Sequence, residues 1–285
     1  MQRLRADEIL MPYLHKALSV SGYFKQTSNI NSRNKMAHYP NILFHFTPRQ
    51  SLYDILNNTF KVSYARERIL GGTKIKEFAV PMVSFSDLRL SELKDNIGTY
   101  GKFGIGMTKD WAVNKGLNPV MYASEKSLFT ENFMKGIEDF FKLVNNTDDT
   151  TGKYETAYNN TINTLRYIKN YKGDLIRPGK KTIPNYVFAN EREWRFVPPI
   201  SDNILSFIPI DKIRTSKQKS QFNQKVSHIK LHFQPDDIKY LIVEKDSDIN
   251  PLITHLRHAK NRFPPDMVDR RSSRILTYEQ IEKDV

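Results

Sequence analysis

The sequence predicts an α+β fold: a single domain with a mixed, largely antiparallel sheet and an inserted helical hairpin. Short apolar runs bounded by turn residues recur along the chain, mixed with helical patterns but not strictly alternating with them, which argues for a mixed or antiparallel sheet. Two stretches of helical periodicity, 127–144 and 154–171, stand side by side in the middle of the chain. The length of 285 residues, with 39% hydrophobic content that includes 17 Phe and 14 Tyr, suffices to bury a substantial core. The domain is placed at 41–285, after an N-terminal helical arm at 1–40, with the helical insertion at about 127–173.

Taken in order, Ala6 to Val20 carries Ile9, Leu10, Leu14, Ala17 and Leu18 near the helical repeat, with Pro12 close to its start, and a polar loop follows to His38. Asn41 to Phe46 (NILFHF) is an apolar strand. Thr47-Pro48-Arg49-Gln50 then has the pattern of a capping box with proline in the first turn, opening a helix that buries Leu52, Ile55 and Leu56. Phe60 to Tyr64 is a second short strand, and the basic, glycine-containing stretch Ala65 to Phe78 reads as a loop.

Val80 to Met107 is the stretch least like scaffolding. Val80 to Phe85 is a buried strand with Pro81 near its start, and Ser86 or Asp87 is positioned to cap the next helix. Gly98, Gly101, Gly104 and Gly106 lie so close together that the backbone must turn sharply or approach something closely. Thr108 to Asn114 is a short helix and Pro119 to Ala123 a strand. Phe129, Phe133, Ile137, Phe140, Phe141 and Val144 recur at helical spacing and are expected in the core. Tyr154 to Tyr171 is a second long helix ended by Gly173. Strand patterns return from Tyr186 in VFANEREWRFVP, ILSFIPI, VSHIKLHF and IKYLIVE, before a helix at Asp248 to Lys260 and a tail from Ile275.

Composition narrows the function classes. The absence of cysteine excludes disulfides, thiolate metal sites and cysteine nucleophiles, and fits a reducing compartment. His228 and His232 share a strand face with no carboxylate motif beside them, and His255 and His258 read as surface residues of a helix, so no metal site is expected. No apolar run is long enough to span a membrane, and Arg3, Arg5, Asp7 and Glu8 stand where a signal peptide would be apolar, so a cytoplasmic protein with no membrane contact is expected. The net charge of +13 favours a polyanionic partner, nucleic acid first, through clusters at Arg177 to Lys181, Lys212 to Lys225 and Arg257 to Arg274.

Three places combine polar or ionisable groups with strand ends: His45 with Thr47, Ser84 to Asp87, and Glu191 with Glu193. In NEREWRF, read as a strand, Glu191, Glu193 and Arg195 share one face. Two carboxylates so close repel unless a cation separates them, and Arg195 can be that cation in an ion-paired sheet edge. The alternative is a site in which a fixed carboxylate holds a ribose hydroxyl and stabilises a cationic sugar centre, while a histidine or serine on a neighbouring strand positions the leaving base.

At these residues the chain resembles the AbiGi-type abortive-infection proteins of bacterial phage resistance. The resemblance rests on LFHFTPRQSLYDIL from Leu43, PMVSFSDLRLSE from Pro81, YGKFGIGMTKDWAVNKGLNPVMY from Tyr100, NEREWRF from Asn190 and HFQPDDIKYLIVE from His232. It implies phage defence in a two-gene system, with a cognate toxin or antitoxin protein as partner; binding of operator DNA through the basic surface is the other non-enzymatic expectation.

More distantly the chain is similar to ADP-ribosyltransferases. His45 with Thr47 looks like their first-strand motif, Ser84-Phe85-Ser86 like their serine motif with Phe85 for the middle threonine, and Glu191-Arg192-Glu193 like their Glu-x-Glu. That resemblance implies an ADP-ribosyltransferase-like sheet and NAD as a substrate bound by His45, Thr47, Ser84, Ser86 and Tyr100. It assigns catalysis to Glu193, Glu191 and His45, with Glu193 the positional favourite, and a nucleic acid or host protein as acceptor.

Overall fold

The computed structural model describes residues 40–284 apart from 72–73, 147–152, 178–180, 201–203 and 260–264, all within the unit Tyr39–Val285. All but the last residue of the N-terminal arm expected at 1–40, its helix included, lies outside the described residues. The chain enters through strand β1 (Ile42–Thr47), helix α1 (Arg49–Asn58) and strands β2 (Phe60–Lys61), β3 (Ser63–Gly71) and β4 (Lys74–Ser86). Helix α2 (Leu93–Tyr100), β5 (Phe103–Thr108), α3 (Lys109–Asn114), β6 (Asn118–Pro119) and β7 (Met121–Ala123) follow. The helical pair α4 (Leu128–Asn145) and α5 (Lys153–Leu165) leads to β8 (Ile168–Asn170), β9 (Lys172–Leu175), β10 (Ile183–Val187) and β11 (Glu193–Phe196). The remainder is β12 (Ile208–Pro209), α6 (Ser216–Lys225), β13 (Lys230–Leu231), β14 (Ile238–Val243), α7 (Ile249–Ala259), α8 (Pro265–Ser272), β15 (Ile275–Thr277) and α9 (Tyr278–Asp284).

The main sheet runs β15-β14-β5-β1-β4-β11-β6, with β3 and β12 also paired to the long β4. Its pairs are antiparallel except β14 with β15, so the expected α+β architecture with a largely antiparallel sheet is what the chain adopts. Strand periodicity explains why β1 reads as an almost unbroken apolar run. Leu43 faces a core that includes Leu52, Leu56, Phe85, Ile105 and Leu241, whereas Ile42 and Phe44 face a second core with Leu93, Ile97 and Ile281. Each such fully buried side chain contributes about 1.5–3 kcal/mol through removal from water.

The glycines of the 98–106 stretch answer to close approach. Phe46 pairs with Gly104 and Phe44 with Gly106 across β1 and β5. A Cβ on either glycine would come within 2.9 Å or 2.8 Å of the facing ring, so only a bare backbone lets both rings lie over the strand. Gly101 has φ +134°, and a Cβ there would stand 2.6 Å from the Thr47 carbonyl oxygen. Pro81 is tolerated inside β4 because the amide of Tyr64, which lies opposite it, donates to Asn223 Oδ1 instead, and its other side falls between the residues paired with β12 and those paired with β11.

Several expected elements differ. Ala65 to Phe78 is no loop: its described residues form the greater part of the paired strands β3 and β4, where successive side chains fall on opposite faces. Thr47 forms no capping box: Pro48 is the N-cap of α1, and its apolar ring has no acceptor for the free amides. Neither Ser86 nor Asp87 caps α2; Asp87 pairs with Lys109 at 2.7 Å. The second helix of the insertion stops at Leu165, and the rest of Tyr154 to Tyr171 forms β8, parallel to β7. Only Thr130 and Met134 are buried on α4, while Phe129 is 52% exposed, so the aromatic stripe made the helix without making a deep core. Of VSHIKLHF only Lys230 and Leu231 are strand, the basic stretch before it is α6, and His255 is half-buried with Nε2 3.3 Å from the Tyr53 carbonyl. The tail from Ile275 is a sheet strand and a helix.

Candidate active site

Three adjacent strands bring the sequence-selected residues together. β1 carries His45, β4 ends in Ser84, Phe85 and Ser86, and β11 begins at Glu193, with Glu193 opposite Ser86 and Arg195 opposite Ser84. Glu191 is not on that strand, as the sequence pattern suggested. It closes a 3₁₀ turn (Phe188–Glu191), and Arg192, in the left-handed region at φ 44°, then redirects the chain into β11. The turn leaves Glu191 and Glu193 on the same side despite their different backbone states.

His45, Ser84, Ser86, Tyr100, Glu191 and Glu193 all line one cavity of about 940 Å³; Thr47, buried at the end of β1, does not. A volume of that order suits a ligand of dinucleotide size. Among the described residues no group of three or more His, Asp or Glu side chains is arranged to hold a metal ion, and no helix is long and apolar enough to cross a membrane.

The acidic wall of the cavity is a connected ion network. Arg195, 0% exposed, donates from Nε to Glu193 Oε1 at 2.7 Å and from Nη2 to Glu67 Oε1 at 2.7 Å and Glu193 Oε2 at 3.3 Å. Its Nη1 donates to the Arg166 carbonyl at 2.9 Å. Lys169 on β8 bridges Glu193 to a third carboxylate, lying 2.6 Å from Glu193 Oε2 and 2.8 Å from Glu191 Oε2. The Tyr100 hydroxyl donates to Glu191 Oε1, with the Arg177 guanidinium stacked 3.8 Å from the centre of its ring. The Glu193 amide donates to Tyr122 Oη at 2.8 Å. The cation that stands between Glu191 and Glu193 is Lys169, not Arg195 as the sequence suggested; Arg195 joins Glu193 to Glu67 instead.

Burial alone would raise the Glu193 pKa, but Arg195 and Lys169 overcome it and hold the carboxyl down at about 2, so it is ionised across the physiological range. Glu67 goes the other way: burial raises it against the pull of Arg195 and Lys169. Burial lowers the His45 pKa and keeps the ring neutral. Its Nδ1 lies 2.8 Å from the Ser84 carbonyl, which can only accept, so Nδ1 carries the proton and Nε2 keeps a lone pair.

Glu67 and Lys169 were not anticipated. The signal for Glu67 was available: in YARERIL, followed across Gly71, Gly72 and Thr73 by KIKEFAV, a period of two puts Glu67 on the face opposite Arg66 and Arg68, which pair with Glu77 on the facing strand at 2.9 and 3.2 Å. Lys169 had no such signal, since it stands in what reads as the end of a helix.

A family model described as "Putative abortive phage resistance protein AbiGi, antitoxin" matches residues 54–244. The chain belongs to the AbiGi family. The abortive phage resistance protein AbiGi of Lactococcus lactis subsp. cremoris is 27% identical over 230 residues, which cover 74% of this chain and 91% of that protein. No solved structure matches. Membership supports a role in bacterial defence against phage by abortive infection. The segment matched by the AbiGi family model holds Glu67, Ser84, Ser86, Tyr100, Lys169, Glu191, Glu193 and Arg195, and begins after His45 and Thr47.

Proposed function

We propose that this AbiGi protein is an ADP-ribosyltransferase-like enzyme that cleaves NAD at the nicotinamide–ribose bond and transfers ADP-ribose to a nucleic acid or a host protein. The single observation that carries this reading is the convergence of His45, Ser84, Ser86, Glu191 and Glu193 from three adjacent strands and a turn on one cavity of about 940 Å³. Glu193 supplies a fixed, ionised carboxylate where positive charge develops on the sugar. Arg195 and Lys169 hold that carboxylate rigid, which is what electrostatic preorganisation requires. Each carboxylate oxygen accepts more than one hydrogen bond, so ion pairing leaves Glu193 able to take a ribose hydroxyl as well. Exposed Arg214 and Lys219 line the same cavity and suit the phosphates of NAD or of a nucleic-acid acceptor. The test is incubation with labelled NAD and either total nucleic acid or lysate protein. Label transfer by the native chain that is lost in Glu193→Gln supports the reading; no transfer, or equal transfer by both, removes it.

A second reading has its own observation. Both oxygens of Glu191 and of Glu193 already engage Tyr100, Lys169 and Arg195, as expected of a structural ion network, and the family description includes the word antitoxin. On that reading the protein neutralises a partner toxin or binds operator DNA without catalysis. Co-expression with the neighbouring gene separates the two: rescue from toxicity that survives Glu193→Gln favours the binder, and toxicity of this chain alone favours the enzyme.

A further inference from the structure

Three carboxylates of the ion network face the cavity, and they differ in what remains open to a ligand. Glu191 engages Tyr100 with one oxygen and Lys169 with the other, and Glu193 engages Arg195 and Lys169 with its two. Glu67 engages only Oε1, to Arg195; its Oε2 accepts no hydrogen bond among the described residues and is not among their sealed, unsatisfied atoms. Glu67 also touches the same Arg195 nitrogen as Glu193, Nη2 lying 2.7 Å from Glu67 Oε1 and 3.3 Å from Glu193 Oε2. One carboxylate held ionised by two cations therefore stands beside another with a free oxygen, across a single guanidinium. In most glycoside hydrolases, displacement at an anomeric carbon is shared between two carboxylates with divided roles.

We propose that Glu67 is the general base of this site, taking the proton of the incoming acceptor while Glu193 faces the sugar. The inference rests on the group-transfer reading above. The glycosidic C–N bond breaks with its electron pair leaving on nicotinamide. The acceptor's lone pair forms the new bond to the anomeric carbon, and the acceptor's proton passes to Glu67 Oε2 and from there to water. The charged groups around Glu67 are Arg195 and Glu193 on β11 and Lys169 on β8; Glu77 on β4, Arg214 just before α6 and Lys219 on α6 line the same cavity. Burial makes Glu67 a stronger base than an exposed glutamate, which brings it nearer the working pH.

The experiment is azide rescue of the full-length protein. Glu67→Gln is expected to lower transfer from NAD by about 10²–10⁴-fold, the usual span for a lost acid–base group. Sodium azide, a nucleophile with no proton to remove, restores turnover in Glu67→Gln but not in Glu193→Gln, and thermal melting shows that both variants are folded. If Glu67→Gln does not fold, Glu67→Asp is expected to shift the acidic limb of the kcat/KM profile, which lies above the ordinary glutamate range in the native protein. A native chain inactive on NAD overturns the transferase reading and this inference with it. An active native chain whose folded Glu67→Gln variant keeps its rate, or fails to respond to azide, overturns the role of Glu67 alone, as does an unmoved limb in Glu67→Asp.

Discussion

Replacing Arg195 by methionine removes the centre of the buried network while keeping much of its volume. The guanidinium is 0% exposed and lies 2.7 Å from both Glu193 Oε1 and Glu67 Oε1, so its loss leaves Lys169, among the described residues, as the cation paired with Glu191 and Glu193, and leaves Glu67 without its ion pair. Breaking a buried pair on one side costs about 3–5 kcal/mol, because the stranded partner stays out of water. A second route gives a similar size. Holding Glu193 at about 2 instead of 4.5 corresponds to about 3 kcal/mol at about 1.4 kcal/mol per pH unit, shared between Arg195 and Lys169. For a domain of this size the expected fall in Tm at pH 7 is about 6–20 °C.

The sign of the pH dependence follows from the lowered pKa. The stabilisation from Glu193 is complete above the ordinary carboxylate value and drains as pH falls from 4.5 towards 2. The native protein loses it on acidification, whereas Arg195→Met has little to lose. Glu67 acts in the same sense at neutral pH, since its raised pKa makes its ionised form costly and removal of Arg195 makes it costlier. The gap between the two proteins is therefore widest near pH 7 and narrows below pH 4.5. Urea and thermal unfolding at pH 7, 5 and 3 measure it. A loss under about 1 kcal/mol at pH 7, or a gap that stays constant on acidification, would refute the network as a source of stability.

Gly101→Ala forces a side chain onto a backbone at φ +134° and against the Thr47 carbonyl, and is expected to cost about 1–3 kcal/mol in urea unfolding; a neutral result would show that the α2–β5 corner relaxes. His45 is neutral in the fold because burial lowers its pKa, so the native protein loses stability as pH falls below about 6.5, by up to about 1.4 kcal/mol per unit until the folded group titrates. His45→Phe abolishes that slope, read as ΔG against pH between 7 and 5. On α4, Met134→Ala is expected to cost about 2–5 kcal/mol and Phe129→Ala less than about 1, a contrast that thermal melts resolve; equal costs would contradict the depth of burial described for this helix.

The local chemistry of each element and the fold class were legible in the order of the amino acids alone. The periods of two and 3.6 placed β1, α1, α3, α4, β14 and α7 close to where they lie, because each rests on residues near in sequence facing one surface. The glycines at 101, 104 and 106 announced close approach, though only the pairing of β1 with β5 identified Thr47, Phe46 and Phe44 as what approaches. Motif order was enough to select His45, Ser84, Ser86, Glu191 and Glu193, which line one cavity, while Thr47 was selected with them and lies away from it.

The electrostatics of the site came from contacts between segments far apart in the chain. Lys169 reaches Glu191 and Glu193 from a strand delivered by the helical insertion, and Glu67 reaches Arg195 from a hairpin that its dense charge made look like a loop. Ionisation and reactivity depend on which charges meet across long chain separations in a medium of low polarity. No local period encodes that meeting. The depth of burial of the Phe129 to Val144 stripe was undecidable for the same reason, since a helix shows which face is apolar but not how much of that face its neighbours cover.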